Sequence, residues 1–219
     1  MVQTIPRPSG PAIVPGRKIR MSYDEFLALP DDVRAEWVDG EAIIFVTNKP
    51  PHAEAVGFLT TLLRLFVRRF GLGTVRLGSM EMRLLDGRSS RDPDVTFVSN
   101  ERLHLLTADR LDGPADLAIE VISSDSVTRD RRHKRREYEQ AGVREYWIAD
   151  VRPRHRKFEA WAVDRTGVYQ PIAPDAQGRV HSSVLPGFWL RSEWLWQEPT
   201  PDELTVLEEI FATILTIQG

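Results

Sequence analysis

The chain has no cysteine. That absence excludes a disulfide framework and any thiolate-ligated metal centre, and a cytoplasmic location is expected. No apolar run approaches the roughly 20 residues that a membrane-spanning helix needs. The opening MVQTIPRPSG has no apolar centre of the kind a secretion signal carries. A large excess of either charge is also missing: 29 Lys and Arg stand against 32 Asp and Glu, for a net charge of -3. The whole chain therefore does not present the field of a general nucleic-acid binder, although a basic patch acts through the field close to it. With 219 residues and 42% hydrophobic composition, one domain with a sizeable core is expected.

What the sequence does have is concentrated between Arg91 and Tyr138: RDPDVTFVS, then DLAIEVIS, then RDRRHKRREYEQAG. Side chains alternate along a strand, so Leu117, Ile119 and Val121 form one apolar face, and Asp116, Ala118, Glu120 and Ile122 form the other. Glu120 is thus a charge inside a strand that reads as buried, which is unfavourable unless a cation or a donor stands opposite. Pro93 cannot donate to a ladder, so it marks the start of a strand from Val95 to Val98 and puts Asp94 at its mouth. Two carboxylates from neighbouring strand ends suit Mg²⁺ or Mn²⁺, with coordination positions left for water and a phosphate oxygen. A helix from about Ser126 to Ala141 follows. It places Val127, Lys134, Tyr138 and Ala141 on a packed stripe and Arg129, Arg132 and Arg136 on the opposite side. Those arginines are either a solvated face or phosphate contacts.

The rest of the chain reads as scaffold. Residues 1–18 carry four prolines and few large apolar side chains, the pattern of a flexible arm. Ser22 to Leu29 is expected to be a short helix with a capping box of Ser22 and Glu25. Asp39-Gly40 centres a hairpin over residues 35–46, with Glu36 near its start. His52 to Phe70 predicts an amphipathic helix with Val56, Leu59, Leu63, Phe66 and Phe70 as its core stripe, ended by Gly71 and Gly73. His52, at its start, is either a phosphate contact or a capping or surface residue. Strands are expected at Thr74–Leu77, Met80–Leu85, Arg144–Ala149, Lys157–Val163 and Val168–Ile172, with a short helix and loop over Glu101–Leu111. Thr200 and Glu203 read as a second capping box. The helix after it, with a stripe of Leu204, Leu207, Phe211 and Ile214, must dock on this domain or on a twin subunit.

MSYDEFLALPDDVRAEWVDGE, PHAEAVGFLTTLL, RDPDVTFVS, DLAIEVISSDS, KRREYEQAGVREYWIAD and LPGFWL together resemble, in order and spacing, the Uma-two branch of the PD-(D/E)XK nuclease superfamily. That is a bacterial family described as restriction-endonuclease-like. The resemblance implies an α/β (α+β) fold: a restriction-endonuclease-like mixed central sheet flanked by helices over residues 19–198, with residues 199–219 as an appended helix. It implies that Glu36 faces the metal pocket. It also implies that the signature lysine, absent at Ile122, has moved to Lys134, in a pair with Tyr138 four residues on.

The expected function is Mg²⁺- or Mn²⁺-dependent hydrolysis of phosphodiester bonds in nucleic acid, DNA in the first place, by a homodimer. Asp94, Glu120 and the backbone carbonyl of Val121 would hold the metal. Lys134 would orient water or offset transition-state charge, Glu36 would bind through water, and Tyr138 would fix Lys134. Arg129, Arg132, Arg136 and His52 would contact nucleic acid. Two other classes remain open: a catalytically silent nuclease-fold domain that binds nucleic acid or a protein, and an enzyme for a small phosphorylated substrate.

Overall fold

The structure, a computed structural model, describes residues 18–30, 33, 35–44, 50–78, 80–84, 87–123 and 126–218, the last three of these as backbone only. The expected N-terminal arm lies in residues 1–17, outside the described residues, and Lys18 already belongs to a strand. The chain divides into two compact units, Met1–Val46 and Thr47–Gly219.

In the first unit, β1 (Lys18–Arg20), β2 (Ala35–Val38) and β3 (Glu41–Ile44) pair antiparallel with β3 in the middle. Asp39 at φ 48° and Gly40 at φ 83° join β2 to β3. Both residues are left-handed, as a two-residue hairpin matched to strand twist requires. Helix α1 (Tyr23–Leu27) has its capping box: the Ser22 hydroxyl accepts from Glu25 N at 3.2 Å, and Glu25 accepts from Ser22 N at 2.7 Å.

The second unit begins with α2 (Pro50–Phe70), two residues earlier than the sequence suggests. Its buried face is broader than a single stripe: Phe58, Leu59, Leu62, Leu63, Phe66 and Val67 are buried, whereas Phe70 is 45% exposed. The helix ends at Gly71, φ 61°. Gly73 instead opens β4 (Gly73–Leu77), where a Cβ would collide with the backbone of Val98 and Ser99 in the neighbouring strand. Next come β5 (Glu81–Leu84), β6 (Ser89–Arg91), β7 (Val95–Ser99), a 3₁₀ turn over Asn100–Leu105, β8 (Arg110–Leu111) and β9 (Leu117–Val121). A π-helical turn (Arg129–Lys134) leads into α3 (Arg135–Ala141), closed by left-handed Gly142. The chain continues with β10 (Glu145–Asp150), β11 (Lys157–Val163), β12 (Tyr169–Pro171), β13 (Arg179–His181), β14 (Trp189–Arg191) and α4 (Glu203–Gln218).

Six of these strands form one mixed sheet in the order β12-β11-β10-β9-β7-β4. Only β9 and β10 run parallel, joined by the π turn and α3; the remaining neighbours are antiparallel. One face carries Val95, Phe97, Leu117, Ile119, Val121, Trp147 and Ala149 in the same core as α2 and α4. The other carries Val98, Ala118, Ile122, Tyr146 and Ile148 with Tyr138 of α3. The alternation expected for β9 therefore divides its residues between two cores.

Helix α4 docks on its own chain: Val206, Leu207 and Ile210 are buried in the α2 core, and Phe211 lies 5.8 Å from Phe70, ring to ring. Two details differ from the sequence reading. Leu204 is 64% exposed, and the N-cap is Asp202, whose carboxylate accepts from Thr205 N at 2.9 Å. The helix starts at Glu203, so Asp202 and not Thr200 stands where the first N–H groups need an acceptor. Among the described residues no helix is long and apolar enough to cross a membrane.

Candidate active site

The register of β7 against β9 places the two carboxylates. Val95 pairs with Ile119 and Thr96 with Ala118. One step further along the same antiparallel register, Asp94 falls beside Glu120. Side chains directly opposite share a face and stand roughly 5 Å apart at Cβ. Both are buried, Asp94 8% and Glu120 4% exposed.

Hydrogen bonds hold both carboxylates. Asp94 Oδ2 accepts from the Val121 N–H at 2.8 Å and lies 3.3 Å from His52 Nε2. The β7–β9 ladder ends at the pair Val95 and Ile119, so the Val121 N–H lies beyond it and turns to a side chain instead of a strand. In a strand the carbonyl of a residue leaves by the same edge as its N–H, which for Val121 is the edge facing β7. Glu120 Oε1 accepts from Lys134 Nζ at 2.8 Å and from the Tyr138 hydroxyl at 2.9 Å. The sequence pairs Tyr138 with Lys134; the structure brings both to the same oxygen of Glu120, because they stack one turn apart over β9.

Lys134 is only 2% exposed, and its ammonium also lies 3.7 Å from Asp130 Oδ1. Asp130 is itself 1% exposed. The sequence reading missed it, although it sits four residues before Lys134, the spacing that singled out Tyr138 on the other side. The π turn that carries both is pinned from the sheet: the Tyr146 hydroxyl donates to the Asp130 carbonyl at 3.1 Å, and the Tyr146 and Tyr138 rings meet edge to face at 5.0 Å. A π turn widens the helix and lets a carbonyl accept from outside, and such turns recur at functional sites.

The remaining candidates separate. His52 is neither a cap nor a surface residue: it is 7% exposed, and its Nδ1 has no hydrogen-bond partner among the described residues. Starting α2 at Pro50 turns His52 inward on the first helical turn. Of the three arginines, Arg132 and Arg136 are exposed, but Arg129 is half-buried with Nε 3.7 Å from Asp130 Oδ1, so it does not belong to a solvated face. Glu36 belongs to the N-terminal unit, where it is 1% exposed on β2 opposite Ile43, and not the exposed strand-end charge it resembles in sequence. Trp161 is scaffold, capped by the Arg135 guanidinium 4.4 Å from its ring.

Three other acids, Asp116 and Glu145 buried and Glu137 half-buried, hold structure around the pair. Glu137 of α3 receives the Arg91 guanidinium and the Ser89 hydroxyl, which ties the helix to β6. Asp116 accepts from Ser99 N at 2.7 Å and from Arg144 at 2.9 Å. Glu145 takes the N–H groups of Ser183 and Val184 and the Trp147 indole. Burial pushes its carboxyl above the ordinary value, against the lowering effect of those hydrogen bonds.

A mixed sheet with paired carboxylates at the ends of adjacent strands, and a lysine from the following helix laid over them, has the restriction-endonuclease-like architecture. The chain belongs to the Uma2 family, described as "Putative restriction endonuclease", whose model matches residues 23–193. Its fold is also that of a solved structure from Anabaena variabilis ATCC 29413, described as a putative nuclease belonging to DUF820. The two agree with a TM-score of 0.63 at 18% sequence identity, over 79% of this chain and 96% of the other. No curated protein matches the chain.

Proposed function

We propose that the chain is a metal-dependent endonuclease that hydrolyses phosphodiester bonds in nucleic acid, DNA in the first place. The observation that carries this reading is that buried Asp94 takes the N–H of Val121, next in the chain to buried Glu120, while Lys134 Nζ lies 2.8 Å from Glu120. The donor set fits Mg²⁺ or Mn²⁺. Two carboxylates and a main-chain oxygen are hard ligands, and such ions keep several waters. Among the described residues no third His, Cys, Asp or Glu completes a cluster of metal ligands, which leaves the other positions to water and phosphate oxygen. Held by Asp94, Glu120 and the Val121 carbonyl, the ion would polarise the phosphate and acidify a water.

The chain's own groups do the rest. Val121 N–H and His52 fix Asp94 through Oδ2, and Tyr138 and Lys134 fix Glu120 through Oε1, so both carboxylates are oriented in advance. Lys134 sets a buried ammonium beside Glu120, where it can hold a nucleophilic water by hydrogen bond or oppose negative charge as it builds on phosphorus. Asp130 on its other side keeps that ammonium in place. The test is calorimetric titration with Mn²⁺ together with incubation of mixed DNA and RNA substrates. Wild type should bind Mn²⁺ and cleave, and Asp94→Ala and Glu120→Ala should lose both. Normal metal affinity in both variants would overturn the site, and metal binding without cleavage of any substrate would favour a silent nuclease-fold binding domain.

A further inference from the structure

We propose that the β10–β11 hairpin, Arg152 to Lys157, together with Arg131 beside it, is the surface that carries the phosphate backbone of nucleic acid to the carboxylate pair. The inference rests on the nuclease reading and extends it from the reacting centre to the track of the substrate.

The hairpin reads Arg-Pro-Arg-His-Arg-Lys, with no acid among the six. Its tip is a fixed turn: His155 N donates to the Arg152 carbonyl at 2.8 Å, with Pro153 in the position that presets the backbone. Asp150 clamps the start, taking Arg152 Nε and Nη2 at 2.8 Å each. Arg154, Arg156 and Lys157 are exposed. Neither Arg154 nor Arg156 meets a carboxylate among the described residues. Cations on a rigid turn lose little freedom on meeting an anion, and the arginine fork suits phosphate oxygens.

The register joins this surface to the site. Ile148 of β10 pairs with Glu120 on one side and Glu159 of β11 on the other. Glu159 therefore faces the same side as Glu120, two strand spacings or roughly 10 Å away. Arg131 bridges from the π turn to Glu159 at 2.8 Å and Asp150 at 3.1 Å, three residues before Lys134 reaches Glu120. Arg131, Arg152 and Lys157 thus balance Asp150 and Glu159, and Arg154 and Arg156 are left as the cations at the hairpin tip that pair with no carboxylate among the described residues.

The test measures duplex-DNA binding by fluorescence anisotropy on the full chain, with Ca²⁺ present, across a salt series. Arg154→Gln/Arg156→Gln should weaken binding on the order of tenfold at low salt and flatten the salt slope by about two units, with Mn²⁺ affinity and melting temperature unchanged. Arg68→Gln/Arg69→Gln is the control with equal charge loss, at the exposed end of α2 roughly 24 Å along the helix from His52; it should leave the slope near wild type. A hairpin variant that binds DNA as the wild type does would overturn the surface while leaving the nuclease reading intact. Poly-glutamate captured through the hairpin in place of DNA would overturn it in favour of an acidic protein partner. Wild type that fails to bind Mn²⁺ would sink the nuclease reading, whereas the loss of DNA affinity on changing the hairpin is measured independently of it.

Discussion

Replacing Lys134 by methionine tests the charge balance of the site more sharply than any other single change. Lys134 is 2% exposed between Glu120, at 4%, and Asp130, at 1%, with Nζ 2.8 Å from the first and 3.7 Å from the second. Methionine preserves most of the stem volume, so the packing of the buried stem stays and the cation alone is lost. Removing one partner of a buried ion pair costs about 3–5 kcal/mol, because the other charge is left without compensation. Two carboxylates depend on this ammonium, so the upper part of that range is expected in metal-free protein. For a chain of this size each kcal/mol lowers Tm by about 2–4 °C, which gives a fall of about 8–20 °C by calorimetry in EDTA. Mn²⁺ would then supply the missing positive charge and should raise the Tm of Lys134→Met more than that of wild type. The double variant Lys134→Met/Glu120→Gln, with one charge fewer to bury, should recover about half of the loss. A single variant that melts with wild type in EDTA would refute the reasoning, and a double variant as unstable as the single would trace the loss to packing instead of charge.

Three further outcomes follow from other groups. His52→Ala removes the imidazole 3.3 Å from Asp94 Oδ2 and should lower stability in EDTA by about 1–3 kcal/mol; an unchanged urea midpoint would show the contact to be idle. Glu145 has a carboxyl raised above its ordinary value of 4.5 by burial, so the folded state binds its proton more readily than the unfolded chain. Its stabilising contribution is present below pH 4.5 and lost as pH rises through the raised value, so wild type should lose stability over that interval relative to Glu145→Gln. Urea titrations of both proteins between pH 4.5 and 7 read the difference in slope, and identical slopes would contradict it. Asp202→Ala should cost about 1 kcal/mol by leaving the Thr205 N–H without its acceptor, whereas Thr200→Ala should be silent in the same denaturation assay.

Where local rules dominate, the sequence was legible. Asp39-Gly40, the Ser22 and Glu25 capping box and the two faces of β9 follow from turn chemistry, capping and a period of two, and each involves neighbours a few residues apart. The carboxylate pair could be anticipated because Pro93 marks a strand start and Glu120 interrupts an apolar run. What escaped depends on partners distant in sequence. Glu145 and Asp150 stand at the two ends of β10, and both are 0% exposed. Glu145 is buried by a turn 38 residues away and Asp150 by arginines on either side of it in the chain. His52 was misplaced because its environment turns on whether α2 begins at Pro50 or at His52 itself, a matter of half a turn. Asp130 was hidden by its setting, an acid flanked by arginines in a stretch that reads as solvated.

The absence of a lysine two residues after Glu120 has a structural counterpart. Ile122 is 1% exposed and belongs to the core that Tyr138 and Val127 complete, so the strand position where an ammonium would lie is filled by apolar packing. Lys134 brings its ammonium to the Glu120 carboxylate from above instead, and one turn of helix later Tyr138 brings a hydroxyl to the same oxygen. The position of this cation, on the crossover between β9 and β10, decides what holds it in place. On a strand it would be fixed by the ladder; here it depends on a π turn held by the Tyr146 hydroxyl at the Asp130 carbonyl and by Asp130 beside the ammonium itself. The same turn carries Arg131 to Asp150 and Glu159 at the root of the basic hairpin. One short irregular segment therefore sets both the charge over the carboxylate pair and the start of the positive surface that leads to it. Anything that straightens the π turn into a regular helix must displace the two together.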